Sequence, residues 1–315
     1  MTILPYDSSL KSVWDEFVSS SKNGTFLFKR DYMEYHSDRF EDMSLVYYDD
    51  NGDVYGLFPA SVSGDTVKSH GGLTYGGLVM GRECAGYKPV EMFELLKEYL
   101  RNKGIRTLIY KPVPHIYHIL PAEEDLYALF RCGATLKARN LASVIDLTIM
   151  NKSSRLVKRA AKRSQRWGIG VEEVETVDSF WEIIVNDRWE RHKVRPVHVA
   201  DELNSLKSKF PGNIRFFVAK DSAGSVLGGA VIYLDRGVIH LQYAAATHEG
   251  KRKYATDIIY HAVIFNLLAG NRYFDFGTSN EDDGHYLNEG MVRHKEEFGG
   301  KSVVYDTYEL LLDNK

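Results

Sequence analysis

The same order of elements occurs twice along this chain of 315 residues, and this repetition constrains the fold more than any other feature. In each half, an amphipathic helix is followed by a glycine, one further residue, an arginine and a strand, at Gly104-Ile105-Arg106 and again at Gly270-Asn271-Arg272. Glycine commonly follows a helix because it adopts positive φ without steric cost. We interpret the chain as an internal duplication and, since 315 residues exceed one ordinary core, predict two domains, 1–150 and 151–315.

The strands of the second half are predicted to form two consecutive hairpins. Their turns are marked by Asp221-Ser222-Ala223-Gly224 and by Arg236-Gly237, each between segments of strand-like composition. In order, the predicted elements are the strands Ile214–Ala219, Val226–Leu234 and Val238–Ala244, the helix Tyr254–Leu268 and the strand Tyr273–Phe276. Hairpins followed by a helix and a further strand predict an α+β fold with mixed sheets rather than a doubly wound parallel one.

Composition excludes several classes of protein. A hydrophobic fraction of 44% and a charged fraction of 26% are those of a globular protein, and a net charge of -3 argues against a surface devoted to nucleic acid. The two cysteines, Cys84 and Cys132, lack zinc-ligand spacing, so no metal is expected. Because no apolar run approaches the ~20 residues that span a bilayer and the N-terminus does not read as a signal peptide, we expect a cytoplasmic protein without a transmembrane segment.

Two linked motifs occur near the C-terminus. They are Tyr273-Phe274-Asp275-Phe276-Gly277 and, after the loop 278–288, Glu289-Gly290-Met291-Val292-Arg293-His294-Lys295-Glu296-Glu297-Phe298-Gly299. Together they resemble the closing signature of the FemAB-like family, and Tyr75-Gly76-Gly77 and the basic helix that opens the second half also resemble that family. The resemblance covers nearly the whole chain. The long helical arm of some members that act on cell-wall precursors is absent here.

This resemblance implies a fold and an activity. The fold is two tandem GNAT-like (acyl-CoA N-acyltransferase) domains, the first degenerate and the second carrying the family signature. The activity is transfer of an acyl group from acyl-CoA, as donor substrate, to the amine of a small molecule, an amino sugar or a peptide. Motifs for a nucleophilic serine are absent, so direct attack by the amine is expected rather than a covalent enzyme intermediate.

Three residues are candidates for the chemistry. Lys295 matches the signature lysine of the family, and the resemblance implies that it neutralises the donor's phosphates or the developing oxyanion. Asp275 lies where a strand enters a loop, a common position for functional groups, although a carboxylate there also hydrogen-bonds loop amides. His285, in the following loop, is a candidate proton acceptor because histidine titrates near neutral pH; the alternative is a merely exposed side chain.

The donor is expected to bind where the last hairpin strand meets the next helix. In the GNAT fold this loop cradles the pyrophosphate of coenzyme A at a helix N-terminus. The predicted contacts are Ala244 at the strand end and Gly250, Lys251, Arg252 and Lys253 in the loop. Arg252 stands where the family has a second small residue, and a solvated basic turn is the competing interpretation.

The acceptor side is predicted from five further residues and a basic helix. The residues are Tyr75, Asn280, Asn288, Arg293 and His192. The helix 154–166 carries six arginines and lysines, which could contact tRNA or an anionic surface, or form a solvated face between domains.

Two other functions remain open on the sequence. One is an aminoacyl-tRNA-dependent peptidyltransferase of the FemABX type, which the basic helix favours. The other is a non-catalytic binding module for an anionic glycan or a protein partner.

Overall fold

The computed structural model describes residues 1–149 and 155–312 of the chain, in which strands and helices alternate. The strands are β1 (Thr2–Pro5), β2 (Glu41–Asp42), β3 (Leu45–Tyr48), β4 (Val54–Phe58), β5 (Ser61–Ser63), β6 (Thr66–Lys68), β7 (Val79–Met80), β8 (Thr107–Tyr110), β9 (Thr135–Asp146), β10 (Gly170–Val174), β11 (Ile214–Lys220), β12 (Val226–Asp235), β13 (Val238–Ala246), β14 (Tyr273–Thr278), β15 (Asn280–Glu281), β16 (Tyr286–Leu287) and β17 (Lys301–Leu311). The helices are α1 (Lys11–Ser20), α2 (Arg30–Met33), α3 (Lys88–Asn102), α4 (Glu124–Arg131), α5 (Arg155–Trp167), α6 (Trp181–His192), α7 (Ala200–Lys209), α8 (His248–Lys253), α9 (Ala255–Ala262) and α10 (Glu289–Glu297). A π-helical turn, Val263–Leu267, continues α9.

The chain divides into two compact units that do not coincide with the predicted domains 1–150 and 151–315. The first unit comprises Met1–Leu141, Asn280–Leu287 and Val304–Lys315, and the second comprises Ala142–Ser279 and Asn288–Val303. The reason is that each unit includes a strand from a distant part of the sequence. The C-terminal strand β17 pairs with β8 of the first unit, and the end of β9 pairs with β14 of the second. A boundary at residue 150 therefore misses pairings between segments that are distant in sequence.

The second unit contains the mixed sheet predicted from the sequence. Its strand order is β10-β11-β12-β13-β14-β9, and its neighbours are antiparallel except for the parallel pair β13 and β14. Both predicted hairpins are present, and positive φ at Gly224 (85°) and Gly237 (75°) confirms the turns. Helices α5 and α9 bury their apolar side chains against one face of this sheet, where Ile239, Ile259 and Phe274 are fully buried. The α+β prediction is confirmed.

The first unit repeats the central step of the second. Strand β6 runs parallel to β8, and α3 lies between them in sequence, as α8 and α9 lie between β13 and β14. Both crossover helices are followed by the predicted glycine in a left-handed conformation, Gly104 at φ 76° and Gly270 at φ 96°. A separate antiparallel sheet of this unit has the order β1-β3-β4-β7. The shared step supports the interpretation of the chain as a duplication.

Candidate functional site

A cavity of about 650 Å³ lies in the second unit, where β13 and β14 part. Within the described residues, the parallel pairing of these strands ends at His240 opposite Asp275. Strand β13 then continues to Ala246, paired with β12 on its other edge. The cavity is lined by this unpaired stretch, by the end of β14, and by residues of α6, α8, α9 and α10. The two strands therefore splay apart beyond His240 and Asp275.

Local irregularities in both strands explain why they part. In β13, Tyr243 pairs with Val231 and Leu241 with Ile232, so Gln242 is an extra, bulged residue. In β14, the register with β9 shifts after Asp275, and Gly277 has a φ of 71°. A bulge bends its strand and increases the local twist. The two bent strands diverge here, and the cavity lies where they part.

Lys295 of α10 lies at the side of this gap and is only 7% exposed. Its Nζ donates hydrogen bonds to the carbonyl oxygens of Gly277 and Thr278, both at 2.9 Å, and to Ser279 Oγ at 2.8 Å. An ammonium group has three N–H donors, so all of them hold the loop that ends β14. Burial lowers the pKa of Lys295 to about 8, with the charge of Asp275 acting in the opposite direction.

Asp275 is fully buried at the point where the strands part. Its Oδ2 lies 2.7 Å from Nδ1 of His240, and its Oδ1 accepts a hydrogen bond of 2.7 Å from the Gly277 N–H. The side chain of His240 keeps 13% of its surface exposed. The predicted Asp275 therefore belongs to a His–Asp pair where the strands part. The next residues along the two strands, Leu241 and Phe276, line the cavity, whereas His240 and Asp275 themselves do not. His285, in contrast, is an exposed residue of the first unit and does not line the cavity.

The predicted donor loop is folded as a helix rather than as an open loop. Thr247 caps α8, and its Oγ1 accepts a hydrogen bond of 3.0 Å from the Gly250 N–H. A side chain at Gly250 would meet the carbonyl oxygen of Leu227, at 2.0 Å from an added Cβ, so packing within the unit already requires glycine. Of the predicted donor contacts, Ala244 and Lys251 line the cavity.

The three predicted cations of α8 differ in their surroundings. Lys251 Nζ lies 2.6 Å from Asp187 Oδ1, and Lys253 Nζ lies 2.6 Å from Glu249 Oε1. Arg252 is exposed. Two of these charges are therefore already balanced within the unit, and neither Arg252 nor Lys253 lines the cavity.

The predicted acceptor residues are divided between the two compact units. Asn288 lines the cavity and caps α10 by accepting the Met291 N–H at 3.0 Å, whereas Arg293 is exposed and does not line it. Tyr75 and Asn280 belong to the first unit. There Tyr75 is 4% exposed, and Asn280 Oδ1 accepts the Leu141 N–H at 2.5 Å.

The side chain of His192 lies outside the described part of the structure, as does Ser154 at the start of the predicted basic helix. The rest of that helix, α5, buries Leu156, Val157 and Ala160 and leaves Lys158, Arg159, Lys162 and Arg166 exposed.

Sequence reasoning missed one face of α6 and one buried carboxylate. Ile184, Asp187, Arg188 and Arg191 follow the i, i+3, i+4, i+7 spacing of one helix face and line the cavity. That spacing was visible in the sequence, but nothing there showed that the face meets a cavity.

The buried carboxylate is Asp257 of α9. It lies 3.1 Å from Arg163 Nη1 of α5 and 3.0 Å from His294 Nε2 of α10. It therefore ties the basic helix to the wall of the cavity, which both Asp257 and His294 line.

In the described ranges, no group of three or more His, Cys, Asp or Glu side chains is arranged to hold a metal ion. Across the same ranges, none of the helices has the length and apolar character that crossing a membrane requires.

Comparison with known proteins agrees with this architecture. Residues 151–286 match the family model described as an acetyltransferase (GNAT) domain. FemX is similar in structure, with a TM-score of 0.69 at 12% identity over 99% of this chain and 97% of FemX. L-PGS from Bacillus licheniformis is also similar, with a TM-score of 0.63 at 13% identity over 98% of this chain and 92% of that one.

A tandem GNAT protein from the clavulanic acid biosynthesis pathway gives a TM-score of 0.52 at 13% identity over 99% of both chains. No curated protein sequence matches the chain. The structural similarities show the fold, and the family model favours an enzyme over a non-catalytic binding module. The chain therefore has a fold similar to that of tandem GNAT proteins, and its residues 151–286 match an acetyltransferase (GNAT) domain, which indicates an acyltransferase.

Proposed function

We propose that this enzyme transfers an acyl group from acyl-CoA to the amine of a small molecule, an amino sugar or a peptide. The observation that carries the proposal is the gap between β13 and β14, which opens into the cavity of about 650 Å³. A slender acyl thioester fits between splayed strands, and the cavity is of the size usual for small-molecule sites. A coenzyme A donor also agrees with the cytoplasmic location expected from the sequence.

The charges near α8 support a donor that carries phosphates. Lys251 lines the cavity, and Arg252 is exposed on the same short helix. Arginine and lysine are common phosphate ligands, and the pairing of Lys251 with Asp187 leaves Arg252 as the better available partner.

Stabilisation of the oxyanion is assigned to the backbone of β13. Beyond His240, the edge of β13 that faces β14 has no strand partner among the described residues, so its N–H groups can donate to a carbonyl oxygen placed in the gap. Lys295 contributes by position rather than by a direct hydrogen bond, because its three donors hold residues 277–279. Its charge adds positive potential beside the developing oxyanion.

The proton of the attacking amine is assigned to the His240–Asp275 pair. The buried carboxylate on Nδ1 favours the tautomer with a proton on that nitrogen and leaves the Nε2 lone pair as an acceptor. In the reaction, the amine nitrogen forms a bond to the thioester carbon and the carbon–sulfur bond breaks. The amine proton passes to His240 Nε2 and from there to the leaving coenzyme A thiolate, so the products are the amide and the free thiol and His240 is neutral again.

The second compact unit alone lines this cavity. That distribution supports the proposal that the first unit is a degenerate GNAT-like domain and that the second carries the chemistry.

An aminoacyl-tRNA donor is the second candidate, and one observation favours it. Helix α5 exposes Lys158, Arg159, Lys162 and Arg166, and Arg163 of the same helix is tied to Asp257 at the cavity wall. A row of exposed cations beside a transferase site is suited to a nucleic-acid phosphate backbone.

Thermal unfolding of the full chain with acetyl-CoA, longer acyl-CoAs and bulk tRNA, each tested in parallel, separates the two donors. A ligand at about 100 times its Kd stabilises the folded state by about 2.7 kcal/mol. We expect stabilisation by the acyl-CoAs and none by tRNA. Stabilisation by tRNA alone would replace the proposal with the aminoacyl reaction, and no stabilisation by either ligand would refute both donors.

A further inference from the structure

Arg188 of α6 stands out among the residues that line the cavity. Its Nε is buried, and its side chain makes no hydrogen bond or ion pair with the residues that the structure describes. Its Cζ lies 5.9 Å from the centre of the Tyr243 ring. A buried guanidinium donor without a partner costs free energy, and such groups are rare in folded proteins.

Each of the other charged side chains of the cavity wall has a partner among the described residues. Asp187 lies within 2.6 Å of Lys251 and 3.2 Å of Arg191, and Asp257 pairs with Arg163 and His294. Lys295 is fully hydrogen-bonded to residues 277–279. Arg188 is therefore the charge of this wall that lacks a compensating group among the described residues.

Arg188 lies in a different part of the cavity from the residues that are proposed to bind the donor. Asp187 and Arg191 turn towards Lys251 of α8, where the phosphates of the donor are proposed to bind. Ile184 and Arg188 lie one turn apart on the same helix, and Arg188 lies beside Tyr243, which also contacts Trp181 near the start of α6. Arg188 thus lines the part of the cavity between α6 and β13 rather than the part next to α8.

We infer that Arg188 binds an oxyanion, a phosphate or a carboxylate, that is part of the amine acceptor. The guanidinium group presents a planar pair of donors that matches both anions. The acceptor is accordingly an amine that also bears an acidic group, such as an amino-sugar phosphate or an amino acid. The assignment of the anion to the acceptor rests on the proposed acyl transfer. The existence of an anion site at Arg188 does not.

The anion site is tested by calorimetric titration of inorganic phosphate, and separately of acetate, at constant ionic strength. The enzyme is used both alone and saturated with acetyl-CoA, which occupies the donor phosphate site. We expect phosphate or acetate to bind the saturated wild type, and Arg188→Met to weaken that binding about tenfold or more. Arg188→Lys keeps the charge without the planar pair of donors, so its Kd for the anion should lie between those of the wild type and Arg188→Met.

Arg106→Met is the matched control, because the Arg106 side chain is 77% exposed in the first unit. It should bind phosphate like the wild type. Equal binding by the wild type and Arg188→Met, or no binding to either, would overturn the inference. So would a loss of acetyl-CoA binding in Arg188→Met with phosphate binding unchanged, because Arg188 would then serve the donor.

A matched pair of amines then tests the acceptor class. Glucosamine 6-phosphate should bind the wild type at least about tenfold more tightly than glucosamine, and Arg188→Met should abolish that preference. If the preference survives in Arg188→Met, the phosphate of the acceptor is recognised elsewhere and the inference fails. Failure of acetyl-CoA to bind any variant would refute the proposed donor instead and leave the phosphate titration valid.

Discussion

The unusual environment of Lys295 predicts how stability responds to pH. Burial lowers its pKa from 10.5 to about 8 in the folded protein. At pH 7 the lysine is protonated in both the folded and the unfolded state, so its titration adds no pH dependence there. Above about pH 8 the folded state loses the proton while the unfolded state keeps it until about pH 10.5. The unfolded state then binds more protons, and stability must rise with pH in this window.

The size of this effect follows from the shift. A difference of about 2.5 pKa units corresponds to at most about 3.4 kcal/mol, and about 2 kcal/mol of it should be present by pH 9.5. Lys295→Met removes the group, so the free energy of unfolding of the wild type should rise by about 2 kcal/mol relative to the variant between pH 7 and pH 9.5. The ammonium at pH 7 is thus kept at a cost in stability, which supports a role in the site.

Urea unfolding of both proteins at the two pH values measures this difference directly, because other titrating groups cancel between them. Lys209→Met, at an exposed position of α7, is the control, and its difference from the wild type should stay constant within a few tenths of a kcal/mol. A difference between the wild type and Lys295→Met that is flat, or that falls as the pH rises, would refute the assigned burial of the ammonium.

Two further outcomes are expected. Asp275→Asn should lower kcat about 100-fold or more and leave the Kd for acetyl-CoA unchanged, because His240 loses the carboxylate that orients it. The rate of thiol release measures kcat, and an unchanged value would contradict the proposed proton route. Gly250→Ala should lower the free energy of unfolding in urea by about 1–3 kcal/mol, since an added Cβ would lie 2.0 Å from the Leu227 carbonyl oxygen. Gly212→Ala is the control, because a Cβ there would have nothing within 4 Å. An equal loss of stability in both variants would contradict the close packing of α8.

Local patterns in the sequence were sufficient to predict the strands β11 to β14 of the second unit. The hairpin turns at Gly224 and Gly237, and the glycines after the crossover helices, follow from backbone preferences that act over a few residues. The predicted helix Tyr254–Leu268 is less regular than expected. Tyr254 has a φ of 59° and separates α8 from α9, and a π-helical turn ends the segment.

Long-range pairing could not be predicted in the same way. The exchange of β9 and β17 depends on which strand fills each sheet edge, and local propensity does not decide this. The His240–Asp275 pair joins residues 35 positions apart through one parallel register, which the sequence does not specify. Arg188 was overlooked for a related reason, since a charged residue on a helix is usually solvated and its burial beside a cavity is a tertiary property.

The central claim, that the gap between β13 and β14 receives the acyl donor, is tested most directly by calorimetric titration of acetyl-CoA. Ala244→Phe places a ring in the gap, and Ala223→Phe makes the same change at the exposed hairpin turn as a control. The account predicts that the wild type and Ala223→Phe bind acetyl-CoA with the same Kd and that Ala244→Phe does not bind it. Equal binding by all three proteins would contradict the claim, because the donor would then lie outside the gap.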